Sequence, residues 1–379
     1  MKIIPLYGNF LELARRKIGI SASLGIGTAL SLPLLSLLAK TMQSPKPSRP
    51  LGVALVGLGK YSREELAPAL QETKNCRLTG IVTGSPDKAQ EWMKKYQLPQ
   101  KNVYTYDTFD QLKDNPDIDI VYVVLPNSLH AEYSIRASRA GKHVICEKPM
   151  ALSVQECQDM IAAAKAAGKM LSIGYRLHFE PHHQEVMRLG QEKGFGPVKL
   201  VENSFGFKIG DPSQLRLKKD LAGGGALQDV GIYAINAARY VTGEEPVAVT
   251  AQEYKTDPDK FPDVDETITF QLQFPSGAVA NCSTTYACDT ERLFASAEKG
   301  WFELRPAYNY TGLTGKTSEG DLSFPPVNHQ AAQMDDFAAC ILHHKPTRVP
   351  GEEGLKDVRI IQTIYKAVET GGEERIDHE

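Results

Sequence analysis

From Leu51 onward, short apolar runs alternate with amphipathic stretches of helical period. LGVALVGLG (51–59) is an apolar run that breaks at Gly57-Leu58-Gly59, as a buried strand does on entering a tight turn. The pattern then predicts a helix over 64–71, a strand over 77–82 (RLTGIV), a helix over 86–96 and a short strand at Val103-Tyr104. Strands over 118–126, 143–148 and 170–175 follow, with helices over 128–140 and 154–167 between them. Near-continuous apolar strands alternating with helices define an α/β fold with a doubly wound parallel sheet, a Rossmann domain predicted over 51–174.

After Tyr175 the period changes. Helices are predicted over 182–192 and 229–241, and the runs 246–254, 266–274, 277–286 and 299–305 alternate apolar with polar residues. Such alternation marks an open, mostly antiparallel sheet with one solvated face. Helices over 328–342 and 354–369 close an α+β domain spanning 175–379, expected to carry substrate and subunit contacts.

The front of the chain reads differently. Residues 18–38 carry no charge, Arg15-Arg16-Lys17 precede them, and Lys40 follows. A basic region followed by a moderately apolar one is the plan of a twin-arginine export signal over 1–40, which places the protein in a periplasm. The alternative is an uncleaved membrane anchor, since the only nearby cleavage candidate is Leu37-Leu38-Ala39. Residues 41–50, with three prolines, read as an extended linker.

Composition sharpens this. Of 379 residues 42% are hydrophobic and 23% charged, the balance of a folded protein. The net charge of −3 splits into +6 over residues 1–50 and −9 over the rest, an acidic body that excludes nucleic acid as a partner. Six cysteines show no zinc spacing, so no metal site is expected and all six read as buried thiols.

Gly57-Leu58-Gly59-Lys60-Tyr61-Ser62 is a G-x-G-x-x-S variant of the dinucleotide turn, with Ser62 where Gly or Ala is usual. At the end of the second predicted strand stand Thr83-Gly84-Ser85 and Lys88, with no carboxylate to take a ribose 2′-hydroxyl. A hydroxyl and a lysine suit a 2′-phosphate, so NADP is the expected cofactor; a solvated loop is the plain alternative. Glu147-Lys148-Pro149 ends a parallel strand, where open α/β sheets place ligands. Lys148 could handle the hydroxyl proton of a carbinol if its pKa fell from ~10.4 towards 7–8, a shift of roughly 4 kcal/mol. Asp229 and Tyr233, at i and i+4 after the glycine run 223–225, share a helix face that could complete a proton-handling triad.

The segments GLGKY, LPNSLHAEYSIRA, AGKHVICEKPMA, IGYRLHF, LAGGGALQDVGIYAINAARY and PGEEGLKDVRIIQTIY resemble the glucose–fructose oxidoreductase / inositol dehydrogenase / rhizopine-catabolism (Gfo/Idh/MocA) family. Tyr233 points to its glucose–fructose oxidoreductase branch, because many relatives have His there. The resemblance implies catalysis by Lys148 and Tyr233, with Asp229 binding a sugar hydroxyl. It implies substrate contacts from Arg176, His178 and Tyr310. The cofactor would lie along Gly57, Gly59, Lys60, Tyr61, Thr83 and Lys88, then Pro126, Asn127, His130, Glu147, Lys148 and Arg176.

The implied activity is oxidation of an aldose to a lactone, coupled through tightly bound NADP(H) to reduction of a ketose. Two features depart from that branch: its long proline-rich arm is missing, and Leu215 stands where it has Trp. An exchangeable cofactor would give an aldose dehydrogenase or aldose–aldose oxidoreductase instead. A non-catalytic nucleotide- or sugar-sensing protein is a third reading. The family resemblance also implies a homodimer or homotetramer.

Overall fold

The computed structural model describes residues 49–378. The segment expected to be an export signal, with Arg15, Arg16 and Lys17, and residues 41–48 of the expected linker lie outside the described residues. Among the described residues no helix is long and apolar enough to cross a membrane.

Six strands form the first sheet: β1 (Leu51–Val56), β2 (Cys76–Val82), β3 (Val103–Tyr104), β4 (Ile120–Val123), β5 (His143–Cys146) and β6 (Leu171–Ile173), in the order β3-β2-β1-β4-β5-β6. All pairings are parallel, and every position of β1 is buried, which is why its sequence is apolar without alternation. Helices α1 (Pro86–Tyr96), α2 (His130–Arg139) and α3 (Val154–Ala166) connect them. Ser85 caps α1, and Ser153 with Glu156 forms a capping box at α3.

The helix expected over 64–71 takes another form. A π-helical turn, Ser62–Leu66, runs into a short α-helix, Ala67–Ala69. Pro68 has no N–H to give to residue 64, so a regular α-helical ladder cannot cross this point.

The second sheet has nine strands: β7 (Val198–Gly206), β8 (Ala248–Tyr254), β9 (Thr267–Gln273), β10 (Val279–Thr285), β11 (Thr290–Ala297), β12 (Gly300–Leu304), β13 (Gly315–Thr317), β14 (Gly320–Leu322) and β15 (Glu374–Arg375). Their order is β14-β13-β12-β11-β7-β10-β9-β8-β15, and β7–β10 is the parallel pair in an otherwise antiparallel sheet. The apolar pattern misses β7 and β11 because they carry charge. Arg292 of β11 bridges Glu202 of β7 at 2.7 Å and Glu303 of β12 at 2.5 Å, so cross-strand pairing accommodates residues that read as loop.

Helices α4 (Pro181–Gln191) and α5 (Ile232–Thr242) pack with this sheet, and nine of the eleven residues of α5 are buried. Helices α6 (His329–His343) and α7 (Gly351–Thr370) close the chain. Although α6 falls in the segment assigned to the second domain, it returns to the first sheet. Its Ala331, Met334, Phe337 and Ala338 share one core with Val53, Leu55, Ile81 and Trp92. Asp335 accepts from the Lys74 and Asn75 amides at 2.9 and 2.7 Å. α5 and α7 are locked by the buried Arg239, which bonds Asp357 (2.6 Å), Glu353 (2.7 Å) and Glu245 (2.6 Å). Cys76, Cys146, Cys157 and Cys282 are buried free thiols, but Cys288 is exposed and Cys340 half-exposed, unlike the expectation for all six.

Candidate active site

The carboxyl ends of β1, β4 and β5 open into one cleft of about 760 Å³, at the point where strand order reverses from β1 to β4. Gly57 starts the turn after β1 with φ +92°, and a Cβ there would lie 2.4 Å from the Val124 carbonyl. Ser62 replaces the usual third glycine without penalty: it is fully buried and its hydroxyl donates to the Gly57 carbonyl at 2.6 Å, closing the turn. A Cβ on Gly59 would meet nothing within 4 Å, so bare backbone faces the cleft at the start of a helix. That arrangement fits a pyrophosphate.

Thr83 and Lys88 lie beside this turn rather than in the cleft. Thr83 Oγ1 accepts from the Ser85 amide at 3.2 Å, and Lys88 Nζ donates to the Leu58 carbonyl at 3.4 Å. A threonine hydroxyl and an ammonium next to the glycine turn, with Thr83-Gly84-Ser85 free of carboxylate, fit the 2′-phosphate of NADP.

Lys60, Tyr61, Pro126, Asn127, His130, Glu147, Lys148, Arg176, Asp229, Tyr233 and Tyr310 all line the cleft. His130 bridges the carbonyls of Leu125 (2.9 Å) and Pro149 (2.8 Å), tying the β4 exit to the loop that carries Lys148. Glu147 accepts from the Tyr122 hydroxyl at 2.6 Å, and Gly174 makes room for it, since a Cβ there would lie 2.5 Å from Oε1. Burial pushes the Glu147 carboxyl up, against the hydrogen bond from Tyr122 and the charge of Lys148.

The chemistry centres on Lys148. Its Nζ donates to the Asp229 carbonyl at 2.6 Å and to Asp229 Oδ1 at 3.4 Å, and sits 4.7 Å from the Tyr233 ring centroid. Asp229 lies in a second π-helical turn, Leu227–Gly231, just ahead of α5, and Tyr233 is in the first turn of α5. The fall in pKa that would ready Lys148 as a base does not occur. Burial pushes its pKa down, but Tyr233, Asp229 and Glu147 together outweigh burial and hold it above the ordinary lysine value. Asp229 is shifted the other way: burial would raise it, while Lys148, Arg216 and the Tyr286 hydrogen bond hold it below the usual carboxylate range.

A second row crosses the cleft. Tyr61 stacks on Tyr310 with centroids 5.9 Å apart, and the Arg176 guanidinium lies 4.5 Å from the Tyr310 centroid and 5.4 Å from that of Tyr233. Arg176 is anchored by the Asn309 carbonyl (3.2 Å) and the Tyr308 carbonyl, and its buried Nε has no hydrogen-bond partner among the described residues.

One expectation is corrected. His178 does not line the cleft; its Nε2 bonds Asn236 Oδ1 at 2.8 Å, and Asn236 donates onward to Asp357 at 3.0 Å, which makes it part of the α5–α7 joint. Conversely, the sequence reading passes over Arg216 and Tyr286, which contact Asp229 Oδ2 at 2.5 and 2.8 Å. Neither has a local signal: Arg216 lies between two leucines in a single helical turn, Leu215–Leu217, and Tyr286 follows a strand.

Comparison with known proteins agrees with this geometry. Residues 51–175 match the oxidoreductase family model with an NAD-binding Rossmann fold, and residues 183–303 match the GFO/IDH/MocA C-terminal domain. A crystal structure of aldose–aldose oxidoreductase from Caulobacter crescentus, complexed with glycerol, is 46% identical with a TM-score of 0.84, over 86% of this chain and 100% of that one. D-xylose 1-dehydrogenase [NADP(+)] of Haloarcula marismortui is 28% identical over 86% of this chain and 94% of its own. The 1,5-anhydro-D-fructose reductase of Ensifer adhaerens is 25% identical over 84% of this chain and 96% of its own. With both halves of the chain matched and the dinucleotide turn opening onto a lysine–aspartate–tyrosine cluster, the protein belongs to the Gfo/Idh/MocA family of NAD(P)-binding oxidoreductases.

Proposed function

We propose that the protein is an NADP-dependent sugar oxidoreductase that oxidises the anomeric carbon of one aldose to a lactone and reduces the carbonyl of a second. The observation that carries this reading is the convergence of Lys148, Asp229 and Tyr233 on a cleft continuous with the dinucleotide turn. The choice of an aldose rather than a ketose as acceptor follows the 46% identity to an aldose–aldose oxidoreductase.

When bound along the glycine turn, NADP would supply a hydride acceptor for the first half-reaction and a hydride donor for the second. The chain supplies the proton chemistry and the alignment. In reduction, the Lys148 ammonium gives a proton to the carbonyl oxygen as that carbon gains hydride. In oxidation, the neutral Lys148 amine takes the hydroxyl proton, and the Tyr233 phenol beside it shares the transfer. Asp229 accepts a hydrogen bond from a neighbouring sugar hydroxyl. Arg176 and Tyr310 wall the opposite side. Over the two half-reactions the proton that Lys148 takes from one aldose is given to the other, so the sum is one aldose oxidised and one reduced.

The test is to purify the protein without added cofactor, denature it and identify the released nucleotide, then follow NADPH absorbance as an aldose and a second sugar are added in turn. A stoichiometric NADP(H) load, reduced by glucose or xylose and reoxidised by a second aldose, supports the reading. Reoxidation by fructose alone would move the acceptor to a ketose. A nucleotide-free protein that turns over only with added NADP would make it a simple dehydrogenase.

A further inference from the structure

Arg216 and Lys148 are the two cations that contact the Asp229 carboxylate among the described residues, and they take opposite oxygens. Arg216 Nη1 donates to Oδ2 at 2.5 Å, and the Tyr286 hydroxyl donates to the same oxygen at 2.8 Å. With Oδ2 held twice, Oδ1 is the oxygen that faces Lys148, at 3.4 Å. The segment delivering Arg216 is fastened at both ends. On one side the Phe207 and Ile209 amides donate to the carbonyls of Thr285 (3.1 Å) and Tyr286 (3.0 Å), and Ile209 is buried beside Val230 and Tyr286. On the other, Asn127 Nδ2 donates to the Ala222 carbonyl at 2.9 Å. The guanidinium itself lies 5.3 Å from the Phe207 ring centroid, so its position does not depend on Asp229 alone.

We propose that Arg216 is a positioning residue that fixes the orientation of the Asp229 carboxylate through Oδ2 and offsets its negative charge beside Lys148. The proposal rests on the sugar-oxidoreductase reading and deepens it, because it sets how readily Lys148 changes protonation state between the two half-reactions. Lys148 is faced by Glu147 and His130 from the first half of the chain and by Asp229, Tyr233 and Arg216 from the second, with Arg176 and Tyr286 lining the same cleft. Removing the Arg216 cation leaves the Lys148 ammonium closer to net negative surroundings, so its proton is held more tightly. Oxidation, which needs the neutral amine, then slows at neutral pH, while reduction, which needs the ammonium, is spared.

The titration of Lys148 can be read without turnover, by competitive acetic anhydride labelling across the neutral to alkaline range with mass spectrometry of its peptide. In Arg216→Ala the labelling midpoint is expected to rise by about one pH unit, and Arg216→Lys should restore it. Single-turnover aldose oxidation at neutral pH should fall about tenfold in Arg216→Ala, with reduction changed far less. Arg216→Gln repeats the comparison if the alanine variant does not fold. An unmoved midpoint in either folded neutral variant, or a shift that Arg216→Lys fails to reverse, overturns the proposal. A shifted midpoint in a protein that carries no nicotinamide and turns over no sugar would leave the positioning role standing and remove the proposed function instead.

Discussion

Lys148 stands where three anionic or ionisable partners meet, and their sum decides which direction of chemistry comes easily. A pKa held above the ordinary lysine value keeps the ammonium charged at neutral pH, ready to donate. Lys148→Ala should therefore lower both half-reactions by about 10²- to 10⁴-fold in single-turnover kinetics, and a loss within a few-fold would remove the lysine from proton transfer. In the proposed function Lys88 serves recognition rather than chemistry. With its Nζ against the Leu58 carbonyl beside the glycine turn, Lys88→Ala should weaken NADP binding at least about tenfold while leaving NAD nearly unchanged; calorimetric titration of the nucleotide-stripped protein with each cofactor decides it, and equal losses would reassign the residue. The meeting of Lys148, Asp229 and Tyr233 in one cleft is legible in the chain because each has a local mark, a strand end or an i, i+4 spacing. Arg216 and Tyr286 reach Asp229 across 13 and 57 residues of sequence, and no local pattern encodes that meeting.

Two π-helical turns, Ser62–Leu66 and Leu227–Gly231, flank the cleft from opposite halves of the chain. The apolar periodicity located both helical stretches yet could not show the wider turn, because one extra residue per turn barely alters a pattern this short. Strands with charged outer faces were hidden for a different reason, since Arg292 is neutralised only by residues on two other strands. The segment Arg176–Phe179, helix α4 and the start of α6 carry the partly buried His178 and the fully buried His183 and His329. Burial depresses His178 to about 4, and His183 and His329 to about 3, with nearby Arg176 adding to the effect on the last two. These folded-state values lie below the ordinary 6.5, so the unfolded chain binds protons first as pH falls. The stability they contribute is complete above the ordinary value and is lost as pH drops from there through about 4 and 3. Thermal melts between neutral pH and pH 4 should show Tm falling by more than about 5 °C; a flat profile would contradict the neutral, buried state of these rings.

At the scale of the whole molecule, the two sheets were legible as separate periods in the sequence, but their sharing of α6 was not. A helix of period 3.6 announces an apolar face without naming the surface it will cover. Met334 and Phe337 fill the first sheet's core beside Leu55 and Trp92, and Asp335 holds the amides of Lys74 and Asn75. A chain ending at Pro326 keeps every strand of the first sheet and still lacks that layer. Expressed alone, it should be largely insoluble or bind hydrophobic dyes as a loosely packed state, whereas a soluble fragment with a cooperative melt would show that α6 is dispensable.

The return of α6 also sets a timetable for the living cell. The ribosome makes all six strands of the nucleotide-gripping sheet within the first 173 residues, but the helix that seals them arrives only at residues 329–343. Until then the apolar face formed by Val53, Leu55, Ile81 and Trp92 lacks the side chains of Ala331, Met334, Phe337 and Ala338 that cover it. A nucleotide-binding half cut out after the last strand of its sheet therefore lacks the cover of that face.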